Sequence, residues 1–420
     1  MNYDVEYIRE QFPALQVRVN GYEAAYFDGP GGTQTPRRVI DAVVDYLEKS
    51  NANAGGTFQT SILSDQVISG ARQALGDFLG ADADEIAFGQ NTTTLIYQLA
   101  NALGRRKGRR NEIIITEIDH EANRGPWLDL AEKGYIIREV KMDPETCTLD
   151  LDHYRSLLNE KTLVAAFNYA SNGVGTISPV KDMIAMAHSV GTLTVVDAVH
   201  YALHGPIDVK ELNTDFLLCS AYKFFGPHIG VFYGRRDRFE ELPVYRLRVQ
   251  SDRPPHRIET GTLNHEGIAG AAEAVEFIAD IGAHFGATDN CLQNNGKENN
   301  GRRRLIVAGM EALEKYEQPL AKKLIDELNR IENVKIYGPP PGNPRTSTVS
   351  FTLKDLSSAK VAERLGAKGI FVWDGHFYAL RLVERLGLAE SGGLIRVGLS
   401  PYNREEEIDR LIAEVKELAS

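Results

Sequence analysis

The stretch "SAYKFFGPHIG", Ser220–Gly230, sets a lysine directly behind an apolar run. That run, "DFLLCS" (215–220), reads as a buried strand, and two aromatics and a Gly-Pro pair follow the lysine. A lysine at the inner end of a buried strand either snorkels to water or uses a desolvated amine for chemistry. A single lysine does not separate the two readings; the pattern around it does.

From about residue 22 to 234, helical periodicity alternates with short apolar runs. "EIIIT" (112–116), "TLVAAF" (162–167), "TLTVVD" (192–197), "DFLLCS" and "GVFYG" (230–234) are predicted strands. "DQVISGARQALGDFL" (65–79) repeats apolar residues at helical spacing, with Ser64 placed to cap it. β-rich runs separated by helices imply an α/β fold with a mostly parallel sheet covered on both faces. Ligands in such sheets bind beyond the carboxyl ends of the strands. After about residue 286 the texture changes. "GATDNCLQNNGKENNGRRR" (286–304) reads as an exposed loop leading into a long helix, about 303–332. "TSTVSFTL", "GIFVW", "LIRVGLS" and two further helices follow, a small α+β domain. In its last helix Asn403 and Glu406 have N-cap and N3 spacing, and Ile408, Leu411, Ile412 and Val415 form one apolar face.

Bulk properties narrow the function classes. A chain of 420 residues suits two or three domains. A net charge of −11 argues against a nucleic-acid partner, and the densest basic cluster, "GRRKGRR" (104–110), reads as a solvated loop. No apolar stretch approaches the ~20 residues of a membrane span, and the acidic, amphipathic start lacks the plan of a signal peptide. Three cysteines, Cys147, Cys219 and Cys291, show neither metal-site spacing nor a disulfide framework. No metal is expected, and a reducing cytoplasm fits.

Three strand ends converge on the lysine's neighbourhood. "TVVDAVH" ends a buried strand at Asp197, whose carboxylate needs a partner. "NTTTLIYQLANAL" puts Thr92 and Thr93 at a helix start, where hydroxyls and free N–H groups suit a phosphate. "EIDHEAN" sets His120 just past the strand "EIIIT". A phosphate anchor, a buried carboxylate, a flat imidazole and a lysine are what pyridoxal phosphate requires. The lysine forms a Schiff base with the aldehyde, the carboxylate keeps the pyridine nitrogen protonated, and the imidazole stacks on the ring.

The segments "YFDGPGGTQTP", "NTTTLIY", "HEANRGPW", "YASNGVGTISP", "VVDAVHYALH", "CSAYKFFGPHIGVFYG", "RIETGTLN" and "LIRVGLSPYN" follow one another along nearly the whole chain. In that order they resemble the class V aminotransferase superfamily of fold-type I pyridoxal phosphate enzymes, above all its cysteine desulfurase and selenocysteine lyase branch. The resemblance implies a large domain with a mostly parallel, seven-stranded type of sheet and a small C-terminal α+β domain. Residues 1–20 would pack with the small domain, 21–285 form the large domain, and 286–420 the small one. It implies that Lys223 is the Schiff-base lysine, Asp197 the pyridinium partner and His120 the stacking histidine. Thr92, Thr93 and Ser220 would hold the phosphate. Asn172 would stand near the phenolic oxygen and the substrate carboxylate, His200 near the phenolic oxygen where desulfurases have a glutamine, and Tyr222 would replace a histidine common in the family. Arg396 would clamp the substrate carboxylate with its planar fork. Thr262 would reach the partner's cofactor phosphate in a homodimer.

One motif departs from the family. Desulfurases carry a mobile loop reading roughly Arg-Thr-Gly-His-His-Cys-Ala, whose thiolate attacks the substrate sulfur. The matching stretch, "VWDGHFYAL" (372–380), puts Tyr378 at the cysteine position and Trp373 at the arginine position. A phenol of unperturbed pKa about 10 forms no persulfide. The expectation is therefore a homodimeric pyridoxal phosphate enzyme acting on an amino acid, an aminotransferase or a C–S lyase working by β-elimination, with His376 and Tyr378 facing the substrate. An amino-acid epimerase and a cofactor-binding accessory protein without turnover are the alternatives.

Overall fold

The lysine's strand lies third in a seven-stranded sheet. A computed structural model describes residues 3–106, 108–286 and 298–420; Cys291 and most of the Asn-rich stretch lie outside them. In chain order the strands are β1 (Ile86–Gly89), β2 (Glu112–Thr116), β3 (Ile136–Val140), β4 (Thr162–Asn168), β5 (Leu193–Asp197), β6 (Phe216–Ser220) and β7 (Gly230–Gly234). Their spatial order is β1-β7-β6-β5-β4-β2-β3, with β7 antiparallel to both neighbours and the remaining adjacent pairs parallel. Every residue of β2, β4, β5, β6 and β7 is buried. Alternation along the strands sends Ile114, Phe167, Val196 and Leu217 into one core and Ile113, Ala166, Val195 and Leu218 into the other. Two strands escape an apolar-run criterion for physical reasons. β1 has four residues, and β3 is an edge strand whose exposed and partly buried positions alternate.

The small sheet contains β8 (Val334–Tyr337), β9 (Thr348–Leu353), β10 (Trp373–Gly375) and β11 (Leu394–Gly398), antiparallel in the order β8-β9-β11-β10. The run "GIFVW" is divided: Ile370–Phe371 pairs with Ala25–Tyr26, and Trp373 opens β10. Ala25 and Phe27 thus join the small core, whereas Ile8, Phe12 and Leu15 pack into the large one. The N-terminal segment straddles the two, because its apolar face fills the large core while Arg9 donates to the Tyr402 carbonyl and pairs with Glu407. The helix Glu298–Leu328 does the same. Ile306, Met310 and Leu313 belong to the large core, and Leu320, Leu324 and Leu328 to the small one. A cut at residue 285 therefore assigns to one domain a helix that serves both.

Three local expectations are corrected by tertiary contacts. The helix containing Ser64 spans Gln59–Leu79, so Ser64 is interior. Its hydroxyl donates to the carbonyls of Ser50 and Ala52 at 2.8 and 2.9 Å, tying down the preceding loop. The last helix, Glu405–Ala419, is capped one residue later than expected, Glu407 accepting from the Arg404 N–H at 3.1 Å. Asn403 instead accepts from Ser400 N–H and donates to the Tyr26 carbonyl. Ile408, Leu411, Ile412 and Val415 do line the small core. The basic cluster is not merely solvated: Arg105 donates to the Pro243 carbonyl, and Arg110 to those of Thr162 and Val190. Among the described residues no helix is long and apolar enough to cross a membrane.

Buried Arg72 makes a two-pronged pair with Glu259, at 2.8 and 2.6 Å, and Glu259 also accepts from the Phe88 N–H of β1. This pair fastens the segment leading to Thr262 onto the sheet. Glu259→Ala leaves a guanidinium buried without its partner, and equilibrium urea unfolding should show a loss of about 3–5 kcal/mol.

Candidate active site

Lys223 closes the short turn Ala221–Lys223 that follows β6, at the carboxyl edge of the sheet. Its Nζ donates to the Pro30 carbonyl and lies 4.7 Å from the centroid of the Tyr222 ring. Burial pushes the amine down to about 7, the Arg396 charge pushes the same way, and Asp197 and Asp28 oppose them. The lysine does not snorkel. Tyr222 stacks on His228, centroids 4.7 Å apart.

The lysine faces a cavity of about 780 Å³ between the sheet edge and the small domain. Asp197 enters from the end of β5, whose register with β6 sets it opposite Leu218. Its Oδ1 accepts from the Val199 N–H at 2.9 Å. Burial raises this carboxyl to about 6 against the pull of its own hydrogen bond and of Lys223. His120 caps the turn Glu121–Asn123, its Nδ1 accepting from the Ala122 N–H at 3.0 Å, so the neutral ring carries its proton on Nε2. Burial, then the Lys223 and Arg396 charges, hold it down to about 4. At neutral pH the ring is a flat, uncharged surface.

Thr92 opens the helix Thr92–Leu103. Asn91 Oδ1 takes the Thr94 N–H, leaving those of Thr92 and Thr93 without an intrahelical partner. The Thr92 hydroxyl donates to the Cys219 carbonyl and sits 2.6 Å from that of Ser220, so helix start and strand end form one polar corner of the cavity. Asn172 donates to the Phe377 carbonyl at 2.8 Å, while its Oδ1 is buried without a partner. Arg396, buried on β11, donates to the Asn172 carbonyl at 2.9 Å and lies 4.3 Å above the Phe377 ring. Burial lowers it to about 9, with Asp28 opposing. His200 is neutral by burial, its Nε2 lying 3.2 and 3.0 Å from the Thr346 and Thr348 hydroxyls of the small domain.

His376 and Tyr378 stand at the mouth. The Tyr378 N–H donates to His376 Nδ1 at 3.1 Å, the Glu121 N–H to the Tyr378 carbonyl at 2.7 Å, and the Tyr378 ring lies over His120, centroids 5.5 Å apart. Thr262 is exposed and does not line the cavity of its own chain. Cys147 and Cys219 are buried away from it, and burial raises both thiols, that of Cys147 to about 11.

Two residues that sequence reading passes over belong to this neighbourhood. Asp119 is buried beneath His120, its Oδ2 accepting from the Thr116 N–H and hydroxyl and its Oδ1 from Asn123, which orders the turn. Asp28 lies near both Arg396 and Lys223. The one signal for either was its place inside a motif quoted above.

These side chains suit pyridoxal phosphate on structural grounds. The polar corner offers free N–H donors and two hydroxyls to a phosphate, Asp197 a carboxyl for a ring nitrogen, and Asn172 Oδ1 an unpartnered oxygen. A parallel sheet with a lysine beyond one strand and a carboxylate beyond the next defines a class of cofactor enzyme. The comparisons identify it. The family described as aminotransferase class-V matches residues 25–291 and 304–411. A cysteine desulfurase of Pectobacterium atrosepticum is 31% identical over 98% of this chain and 97% of its own. Aminotransferase-like protein FGM3 of Gibberella zeae is 34% identical over 98% and 97%. The apo structure of a cysteine desulfurase from Thermococcus onnurineus superposes with TM-score 0.85 at 28% identity, covering 100% of this chain and 98% of that one. The chain belongs to the class V aminotransferase family and is a pyridoxal phosphate-dependent enzyme.

An amine of pKa about 7 is nucleophilic at neutral pH. The rate at which apoprotein takes up pyridoxal phosphate should therefore rise with pH below about 7 and level off above it. An ordinary lysine would keep the rate climbing beyond pH 9. Lys223→Ala should remove the borohydride-stable product altogether.

Proposed function

We propose that the protein acts on an α-amino acid by transamination or β-elimination and passes no sulfur through a protein persulfide. The observation carrying this reading is that one cavity holds Lys223, Asp197 and Arg396, while no cysteine is among its lining residues in the described chain. Of two similar chains, one is called aminotransferase-like protein, which gives transamination a precedent, and the other cysteine desulfurase, whose persulfide route this reading excludes for the present chain. The cofactor, when bound, serves as an electron sink for a carbanion at the substrate Cα.

The chain's own residues supply the rest. Lys223 removes and returns the Cα proton, a task its lowered pKa suits. Asp197 holds the proton at the ring nitrogen, and His120 lies flat against the ring. Thr92, Thr93 and Ser220 bind the phosphate, with Tyr222 flanking Lys223. Asn172 and His200 contact the phenolic side, and His200, already hydrogen-bonded to the small domain, fixes how the two domains meet there. Arg396 binds the substrate carboxylate in a site where water is scarce. His376 and Tyr378 meet the substrate side chain.

L-Cysteine with a reductant is the discriminating substrate. Mass spectrometry should find no persulfide, in wild type and in Cys291→Ser alike, and sulfide release should be slow unless it is matched by pyruvate and ammonia, the products of β-elimination. Fast release with a persulfide mapped to Cys291 would overturn the reading, whereas turnover of other amino acids to keto acids supports it.

The active form is a homodimer in this reading, with Thr262 serving the partner subunit's cofactor phosphate. Exposed Val44, Leu47, Phe58 and Ile62 favour a covered surface on the same domain. Light scattering should give twice the mass of the chain. Thr262→Ala should weaken cofactor retention by about tenfold, the value of one hydrogen bond to a charged group.

A further inference from the structure

The motif "YFDGPGGTQTP" contains a carboxylate that the roles above leave unused. Asp28 begins the turn Gly29–Gly31. This turn is locked against the end of β11, the strand carrying Arg396. Asp28 bridges Gly398, and the Gly398 N–H donates to the Phe27 carbonyl at 2.8 Å. The fit leaves no space: a Cβ on Gly398 would lie 1.9 Å from Pro30 Cδ, and one on Gly29 2.5 Å from the Ser400 hydroxyl. Backbone pairing of residues 25–26 with 370–371 holds the same segment from its other side.

Within that rigid setting three polar atoms lack partners among the described residues, the Ser400 hydroxyl and two that belong to charged groups. Asp28 Oδ1 is buried and unbonded, and so is Arg396 Nε. Among the described residues the Arg396 side chain keeps a single hydrogen bond, to the Asn172 carbonyl. Its charge and that of Lys223 both act on Asp28, and Asp28 acts back on both. The turn also supplies the Pro30 carbonyl that receives Lys223 Nζ.

We infer that Asp28 is a positioning residue, the shared counter-charge that keeps the Arg396 guanidinium aimed into the cavity for the substrate carboxylate. The inference rests on the proposed carboxylate-binding role of Arg396. Two effects oppose each other when Asp28 is neutralised. Arg396 loses a competing anion, which favours substrate, and it loses the charge that orients it beside a second cation. Two-pronged recognition depends on orientation, and a guanidinium with one remaining hydrogen bond next to Lys223 turns away, so the second effect prevails.

The test uses holoenzyme and the tightest-binding of the protein L-amino acids, found by titrating the cofactor spectrum, together with the amine formed by its decarboxylation. Asp28→Asn, close to isosteric, should raise the half-saturation concentration of the amino acid at least tenfold and that of the amine less than twofold. Added to Arg396→Leu, it should change neither. An unchanged amino-acid titration in Asp28→Asn, an equal loss for the amine, or a full loss persisting in the Arg396→Leu background would each overturn the inference. If Arg396→Leu alone leaves the amino-acid titration unchanged, the carboxylate-binding reading falls and takes the inference with it. If Arg396→Leu weakens the amino acid and Asp28→Asn does not, the inference alone falls.

Discussion

Two cations, the Lys223 ammonium and the buried Arg396 guanidinium, line one cavity between the sheet edge and the small domain, and much of the surrounding structure follows from that. Desolvation lowers the affinity of both for a proton, and the Arg396 charge lowers that of Lys223 further. At low effective dielectric such a pair is tolerable only near negative charge. The fold brings two carboxylates into range by different routes. Asp197 comes from the strand beside the lysine's own, because parallel neighbours end at the same edge. Asp28 comes from far along the chain, on a turn pressed against the small domain. The result is an amine close to half-protonated at neutral pH beside a guanidinium that stays charged.

The cavity exists because two cores meet at a fixed angle. The helix Glu298–Leu328 runs through both, and the pairing of residues 25–26 with 370–371 closes the other side. A polar seam lies behind His200. Thr346 and Thr348 meet its ring, Ser347 donates to Glu317 at 2.8 Å, and Glu317 lies 3.1 Å from His204. Buried polar groups of this kind are costly when unpaired, so the seam favours one arrangement of the domains. Arg396 and the residues at the sheet edge are in register through that arrangement.

The loop after β10, which the sequence reading sets apart from the desulfurase pattern, is built differently from its flanks. Phe377 and Tyr378 both take left-handed backbone, φ 54° and 58°, at about 1–3 kcal/mol each for residues with a Cβ. Packing offsets that cost: Phe377 is buried beneath Arg396, and the Tyr378 carbonyl accepts from Glu121 N–H. Strain held in place at a cavity mouth fits a loop whose side chains must be presented in one direction. With an aromatic ring rather than a thiol at its tip, this loop presents shape and hydrogen bonding to the cavity mouth.

The central strands, the helix start at Thr92 and the placement of Lys223, Asp197 and His120 at strand ends were all legible in the sequence. They depend on local signals: apolar runs, a capping position, a charge where burial makes charge expensive. Edge strand β3 and short β1 were not legible, since pairing partners rather than composition make them strands. Ser64 and Asn403 have the spacing of caps, but their side chains serve residues that only folding brings near. Asp28 is the plainest case. Nothing local distinguishes it from any turn aspartate, and its environment is made by Arg396 and Lys223, distant along the chain and joined to it only where the two cores close. Sequence by itself determined which groups had to be buried together; the tertiary structure decided which charges would balance them, because Coulomb energies depend on distance and solvent access that no stretch of chain encodes alone.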